Sequence, residues 1–317
     1  MIDFEILSLQ QFTLTIYKFE NQINMIHSIK NAEIELSVKE TGAEICSIKS
    51  VKNRMEFIWD ANPDVWANHA PILFPVVGAL QNGKYRYKGK EYSLPLHGFF
   101  RHNKAVKLIE KTENSLTFLL SQNSETLKVY PFNFDFFTTY TIENNKITIK
   151  HEVVNTGNEE MYFSIGGHPA FKCPLQDNEE YSDYYLEFEK NEDALSWILD
   201  GKLIGKNKKK VFNNNNIINL HKNIFDEDAL IFKDLKSKKV SLKSKKSNSF
   251  VTVSFPDFKY LGLWAKPKAE FVCIEPWLGI ADSVDFTGEL PDKEMIIKLS
   301  AGENYTAKYS IEISTSI

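Results

Sequence analysis

Apolar and polar residues alternate with a period of two along much of the chain. The alternation is clear at residues 34–38, 147–153 and 305–313, where mostly Ile, Leu, Val and Tyr are separated by Glu, Ser, Thr and Lys. This pattern is typical of half-buried strands in antiparallel sheets, because successive side chains of a strand point to opposite faces. Candidate turns separate the strands, at Asn82-Gly83, Lys88-Gly89, Asn144-Asn145, Thr156-Gly157 and Ala301-Gly302.

Helical patterns are nearly absent, and only residues 60–68 are compatible with one short helical turn. The chain has 317 residues, 43% of them apolar, which is enough for one large core. We therefore predict an all-β fold, a large antiparallel β-sandwich, as a single domain over residues 25–317. Residues 1–24 are interpreted as an N-terminal extension, with an added edge strand at 11–19 as the alternative.

Charge and composition exclude several classes of partner. The 38 basic and 42 acidic residues give a net charge of −4, which favours neither nucleic acid nor an anionic membrane. The lysine-rich stretch 236–246 has no interleaved aromatic residues for base stacking and is interpreted as a solvated hairpin. Residues 206–216 are polar and low in complexity, which indicates an exposed loop.

The expected location is the cytoplasm. The longest apolar run, at residues 71–80, is about half the ~20 residues that a membrane span needs. The N-terminus lacks a basic region followed by an apolar block, so a signal peptide is not expected. Three cysteines, distant in sequence and odd in number, argue against a disulfide framework and favour a reducing compartment.

Three ionisable residues lie among small or aromatic neighbours. His168 is part of Gly166-Gly167-His168-Pro169-Ala170-Phe171, where the proline favours an extended histidine and the glycines leave its ring uncrowded. His97 also adjoins a glycine, in Leu96-His97-Gly98-Phe99-Phe100-Arg101. Glu275 follows a β-rich apolar run and precedes Pro276-Trp277; partial burial there would raise its pKa toward that of a general base. The structural alternative for Glu275 is a buried ion pair.

Other chemistries have weaker support. No HExxH, paired CxxC, P-loop or GxGxxG motif occurs, and His97 and His102 lack further zinc ligands at motif spacing. A glycosidase needs two opposed carboxyl groups, whereas the candidates here are one carboxylate and two imidazoles. His151 lies on the apolar side of an alternating strand and is interpreted as a core histidine.

The order and spacing of several motifs resemble those of the aldose 1-epimerase (galactose mutarotase-like) family, in its shorter LacX-like branch. The resemblance covers residues 29–313. It rests on 42–45, Pro71-Ile72-Leu73-Phe74-Pro75-Val76-Val77-Gly78, Leu96-His97-Gly98-Phe99, His168-Pro169-Ala170-Phe171, 228–232 and Glu275-Pro276-Trp277-Leu278-Gly279. The family implies a β-supersandwich and the interconversion of α and β anomers of an aldose without a cofactor or a metal.

The resemblance also implies roles for individual residues. Glu275 takes the position of the general base and His168 that of the general acid. His97 and Asp228 match sugar-contacting positions, and Trp277 and Phe99 are candidate walls of the cleft. One position departs from the family, because Ala79 stands where related sequences carry a sugar-binding arginine; Arg101 is the candidate to replace it.

The function expected from these residues is that of a mutarotase acting on a free hexose. A carbohydrate-binding or sensing protein without catalysis, and an epimerase of hexose phosphates, are the alternatives. The expected partner is a monosaccharide, and the expected state is a monomer or weak homodimer. These expectations assume that Glu275 and His168 lie at opposite edges of one pyranose-sized hollow.

Overall fold

The computed structural model describes residues 25–315, and this part of the chain has the predicted all-β architecture. Its first strands are β1 (Ile26–Lys30), β2 (Ile34–Lys39), β3 (Glu44–Ser50), β4 (Ile72–Leu73), β5 (Lys84–Tyr87), β6 (Lys90–Ser93), β7 (Lys107–Lys111), β8 (Ser115–Ser121), β9 (Phe134–Glu143), β10 (Lys146–Asn155), β11 (Met161–Phe163) and β12 (Ile165–Gly167). The others are β13 (Ala170–Lys172), β14 (Tyr184–Glu192), β15 (Leu195–Asp200), β16 (Leu203–Lys210), β17 (Asn215–Asn219), β18 (Leu230–Phe232), β19 (Lys239–Ser244), β20 (Phe250–Ser254), β21 (Tyr260–Trp264), β22 (Phe271–Leu278), β23 (Ile297–Leu299) and β24 (Asn304–Ile313). The predicted extension at residues 1–24 lies outside the described residues.

Two large antiparallel sheets form the sandwich. The nine-stranded sheet has the order β17-β14-β19-β20-β24-β10-β9-β8-β7. The eight-stranded sheet has the order β16-β15-β18-β21-β22-β12-β4, and β13 pairs with β22 beside this path. Small sheets β1-β2-β3, β5-β6 and β11-β23 complete the described strands. The predicted turns at 88–89 and 144–145 connect β5 to β6 and β9 to β10.

One of two local expectations was wrong. Residues 60–68 do hold one short turn, in which the Trp66 N–H donates to the Asn62 carbonyl at 2.9 Å, and the α-helix of the described residues is α1 (Ser124–Val129), capped by the Asn123 side chain. Residues 206–210 belong to β16 and 215–216 to β17 rather than to an exposed loop. Both strands are edge strands, where exposed lysines and asparagines are compatible with pairing on one side and discourage pairing with other chains.

The main core draws side chains from both large sheets, and a second apolar cluster lies elsewhere on the eight-stranded sheet. Ile149 and Phe136 of the nine-stranded sheet and Leu261 and Ile274 of the eight-stranded sheet belong to the main cluster. The second cluster consists of Leu73, Val77, Ile204, Ile231, Tyr260, Trp277, Ile280 and Ala281. Since strand side chains alternate between faces, the side of β22 that carries Trp277 also carries Glu275. None of the helices in residues 25–315 is long and apolar enough to cross a membrane.

Candidate active site

Strand register places His168 directly across from Glu275. Gly166, two positions before His168, pairs with Trp277 of β22, and Ala170, two positions after His168, pairs with Cys273 of the same strand. Trp277 and Cys273 lie on either side of Glu275, each two positions from it. The imidazole and the carboxyl group therefore face each other from neighbouring antiparallel segments, as close cross-strand neighbours do.

The two side chains are in contact and almost completely buried. His168 Nε2 lies 3.2 Å from Glu275 Oε2, and the side chains are 9% and 2% exposed. This contact lacks hydrogen-bond geometry, so Glu275 Oε2 has no partner among the described residues, and neither has His168 Nδ1. The expectation of opposite edges of a hollow is replaced by an imidazole and a carboxyl group that lie side by side.

Burial moves the two pKa values in opposite directions. The pKa of Glu275 is raised well above its ordinary 4.5, chiefly because burial penalises the carboxylate. The indole of Trp277 beside it opposes this shift, and the Asp228 carboxylate adds to it. Burial likewise lowers the pKa of His168 to about 3, and the positive charge of Arg101 contributes. Without a ligand, the proton that the pair shares therefore favours Glu275.

His97 lies beside this pair, as predicted, and its backbone determines which ring nitrogen donates. Its φ of 65° and that of Gly98, 74°, form a tight left-handed turn. In this turn His97 Nδ1 accepts a hydrogen bond from the Gly78 N–H at 3.1 Å. Burial lowers the pKa of His97 well below 6.5, so the ring is neutral and carries its proton on Nε2. The ring is T-shaped to His168, with centroids 5.6 Å apart.

Two tryptophans that the sequence offers as possible stacking residues, but that adjoin no candidate site residue, border the pair. Trp66 stacks on His168 with ring centroids 5.1 Å apart, and Trp264 meets the same imidazole edge-on at 5.8 Å. Trp264 belongs to β21, whose register with β22 could not be read from the sequence. Trp66 comes from an irregular segment whose backbone N–H groups at His69 and Ala70 donate to Glu44 Oε1. Neither residue adjoins a site motif, so no local signal identifies it.

Trp277 lies beside Glu275, and glycines make room for its ring. A Cβ at Gly262 would lie 2.5 Å from the Trp277 ring, and a Cβ at Gly166 would lie 2.8 Å from it. The indole is thus wedged between neighbouring strands. Phe99 packs in the aromatic cluster of Phe74, Tyr130 and Phe134; its role as a cleft wall stays a prediction.

Arg101 is half-buried. Its guanidinium lies near His97 and His168, since its positive charge lowers the pKa of both imidazoles. Arg54 binds Glu35, and Arg86 donates to a backbone carbonyl. Among residues 25–315, Arg101 is the arginine whose guanidinium has neither a hydrogen bond nor an ion pair. Asp228 is exposed, yet its charge acts on Glu275. Both are therefore available to a ligand near the pair.

A third possible ligand atom for a metal ion lies next to the pair. Cys273 precedes Glu275 by two positions on β22 and shares its face. Its Sγ, a nitrogen of His168 and a carboxylate oxygen of Glu275 lie within 4.8 Å of one another, and all three residues are buried. Surface cavities of about 350 and 380 Å³ occur elsewhere; neither is lined by these three residues.

Comparisons with known proteins agree with this fold. The family described as Aldose 1-epimerase matches residues 25–312. The chain belongs to the aldose 1-epimerase family. Protein LacX of Lactococcus lactis subsp. lactis, in its plasmid and chromosomal forms, is 34% identical over 91% of this chain and 99% of the LacX chain.

Two solved structures are also similar to this chain. A galactose mutarotase related enzyme from Lactobacillus acidophilus is 38% identical, with a TM-score of 0.88 over 92% of this chain and 97% of that one. A galactose mutarotase-like protein from Lactobacillus casei is 28% identical, with a TM-score of 0.85 over 92% of this chain and 100% of that one. The expected family and its β-sandwich are confirmed.

Proposed function

We propose that this aldose 1-epimerase family member is a mutarotase that interconverts the α and β anomers of a free hexose. The observation that carries the proposal is the 3.2 Å contact between His168 Nε2 and Glu275 Oε2 inside a buried, tryptophan-lined site. Ring opening of a hemiacetal needs a base at the C1 hydroxyl and an acid at the ring oxygen. Both oxygens are bonded to the same carbon, so a base and an acid that touch each other can reach them together.

The proton transfers of the reaction need only the one proton that Glu275 and His168 share. Glu275 takes the proton of the C1 hydroxyl while the imidazolium of His168 protonates the ring oxygen, and the C1–O bond of the ring breaks. Rotation about the C1–C2 bond turns the other face of the aldehyde toward the ring hydroxyl. Both protons then return along the same path, and the ring closes as the other anomer. Each positioned proton transfer contributes about 10²- to 10⁴-fold to the rate.

In this proposal, sugar binding moves the shared proton from Glu275 to His168, where the ring-opening step needs it. Burial alone favours the proton on Glu275, as the opposite pKa shifts of the two groups indicate. Hydrogen bonds from sugar hydroxyls to Glu275 stabilise its charged form. The same proton then resides on His168, where it faces the ring oxygen. The unpartnered Glu275 Oε2 is the atom that would accept such a bond.

Groups around the pair match the surface of a hexose. The Nε2–H of His97 and the guanidinium of Arg101 donate to hydroxyl oxygens, and Asp228 accepts from hydroxyl protons. Trp66 and Trp264, both partly exposed beside His168, are the candidates to pack against the C–H groups of the ring. In this proposal Arg101 replaces the family arginine that is absent at Ala79, because it is the unpaired arginine near the histidines.

A carbohydrate-binding protein without catalysis is the second candidate, and Ala79 is the observation that favours it. Loss of an arginine from a ligand-binding position weakens substrate binding and orientation unless another group takes its place. The two candidates share the ligand and differ only in the acceleration of anomer exchange. The preference for free over phosphorylated hexoses stays a prediction.

Polarimetry of freshly dissolved α-glucose and α-galactose tests the proposal. The wild type should accelerate the approach to anomeric equilibrium, and Glu275→Gln should lose about 10²- to 10⁴-fold in kcat, because an amide cannot accept the C1 proton. The control is Glu179→Gln, since this glutamate is also buried but bonds to Tyr184 and Ser244 outside the site. Full activity in Glu275→Gln would exclude the mechanism. Calorimetric sugar binding without acceleration by the wild type would favour the binding protein.

A further inference from the structure

Three different metal-binding groups converge in the site although no zinc motif exists in the sequence. Cys273 and Glu275 share a face of β22, and His168 reaches the same point from the neighbouring segment. Their donor atoms lie within 4.8 Å of one another. Thiolate, imidazole and carboxylate are all ligands of Zn²⁺, and three protein ligands with one open position are common at such sites.

We infer that Cys273, His168 and Glu275 bind one Zn²⁺ ion in competition with the sugar, so that zinc inhibits this protein. The ion would bind through Cys273 Sγ, a ring nitrogen of His168 and a carboxylate oxygen of Glu275. The binding of zinc does not depend on the proposed function, whereas inhibition rests on it.

The unpaired atoms of the site support a ligand there. Glu275 Oε2 forms no hydrogen bond although its side chain is only 2% exposed, and its contact is His168 Nε2 at 3.2 Å. In tetrahedral zinc sites, bonds of about 2.0–2.3 Å bring ligand atoms about 3–4 Å apart. The observed separations of at most 4.8 Å thus need only small side-chain rotations. The ion would satisfy the buried oxygen, which lacks a partner.

Binding involves no redox step and its protons balance. The ion needs a thiolate, a carboxylate and a neutral imidazole. It therefore displaces the proton of the Cys273 thiol and the proton shared by Glu275 and His168, and both go to solvent. The lone pairs that would have moved protons on the sugar are then used for coordination, which makes the complex inactive.

The chemistry of the ligand set also predicts selectivity. A thiolate favours soft or borderline ions, whereas Mg²⁺ prefers six oxygen ligands in near-ideal octahedral geometry. Zn²⁺ and Co²⁺ are therefore expected to bind, and Mg²⁺ is not. The Co²⁺ complex offers a direct signature, because a cobalt–thiolate bond gives a charge-transfer absorption that carboxylate and imidazole ligands do not.

The experiment compares wild type, Cys273→Ala and Cys173→Ala. Cys173 is the matched control, since it is also free and fully buried but lies outside the cluster. Zn²⁺ binding is measured by competition with a chromogenic chelator, and Co²⁺ binding by absorption. Circular dichroism verifies that each variant is folded. Loss of a direct ligand should weaken the affinity at least about tenfold, because loss of a group that only supports a ligand typically costs about 10- to 100-fold.

We expect wild type and Cys173→Ala to bind one equivalent of zinc and Cys273→Ala to lose this binding. The cobalt–thiolate band should occur in wild type and Cys173→Ala but not in Cys273→Ala. Zn²⁺ should slow mutarotation by wild type and Cys173→Ala and inhibit Cys273→Ala at least about tenfold less. Equal zinc affinity in Cys273→Ala, or no binding by the wild type, would overturn the inference. If binding depends on Cys273 but no variant accelerates mutarotation, the proposed function fails while the zinc site stands.

Discussion

At the scale of single residues, the described structure distinguishes groups that are used by the fold from groups left for a ligand. Lys293 and Asp282 form a buried ion pair at 2.6 Å, and Glu44 accepts backbone hydrogen bonds that hold the segment of Trp66. Glu275 Oε2 and the guanidinium of Arg101, in contrast, have no such partner. Burial of a polar group without a hydrogen bond is unfavourable, so Glu275 Oε2 and the half-buried guanidinium of Arg101 are the strongest candidates for contact with the proposed substrate.

Replacement of Arg101 by Met should raise KM for the hexose by about 10- to 100-fold with little change in kcat, because hydrogen bonds to a charged group contribute about 1.5–3 kcal/mol to binding. Initial rates by polarimetry over a range of sugar concentrations measure this effect. The control is Arg54→Met, which removes an exposed arginine paired with Glu35. An unchanged KM in Arg101→Met would exclude Arg101 as the substitute for the missing arginine at position 79.

At the scale of secondary-structure elements, the site depends on two glycines that let a bulky ring lie across neighbouring strands. The ring of Trp277 on β22 occupies the space that a side chain at Gly262 on β21 or at Gly166 on β12 would need. The strand pattern was predictable from the sequence, and so was the occurrence of Trp277 beside Glu275. The need for glycine on the adjoining strands could not be predicted, because it depends on the register between strands.

Gly262→Ala should destabilise the protein by about 1–3 kcal/mol, the usual range for overpacking, since its Cβ would lie 2.5 Å from the Trp277 ring. Displacement of this ring should also lower mutarotase activity. Urea unfolding followed by tryptophan fluorescence, together with polarimetry, measures both effects. Gly157→Ala is the milder comparison, because its nearest contact would be 3.2 Å, to Asn155 Oδ1. Equal stability of Gly262→Ala and wild type would contradict the wedged position of Trp277.

At the scale of the whole molecule, burial keeps histidines neutral far below their ordinary pKa. His151 is fully buried between the sheets, with Nδ1 3.1 Å from Thr138 Oγ1, and its pKa is lowered to about 3. This confirms the interpretation of His151 as a core histidine. In the unfolded chain the same ring regains its ordinary pKa, so unfolding takes up a proton at any pH between about 3 and 6.5.

The free energy of unfolding should therefore decrease as the pH falls from 6.5 toward 3. His151 should contribute a slope of about 1.4 kcal/mol per pH unit over that interval. In His151→Asn the slope should be smaller by this amount, whatever the stability of the variant at neutral pH. Urea titrations at several pH values measure the slope, and His221→Asn, which replaces an exposed histidine, is the comparison variant. An identical slope in wild type and His151→Asn would show that His151 is not held neutral.

The sequence by itself determined the fold class and the central pair of the candidate site. Period-two alternation is a local property, because it depends only on which face of a strand each side chain occupies, and it predicted β2, β10 and β24. His168 and Glu275 were recognisable for a similar reason, since glycine and proline neighbours or an apolar strand surround them in the chain. The single domain over residues 25–317 and the monomer or weak homodimer stay predictions.

Only the tertiary structure decided what surrounds the pair and how its members meet. The contact of His168 with Glu275, the stacking of Trp66 and the approach of Cys273 all depend on pairing between segments distant along the chain. Such pairing is set by register and packing over the whole sheet, and a shift of one residue would turn every side chain of a strand to its other face. No short stretch of sequence contains that information.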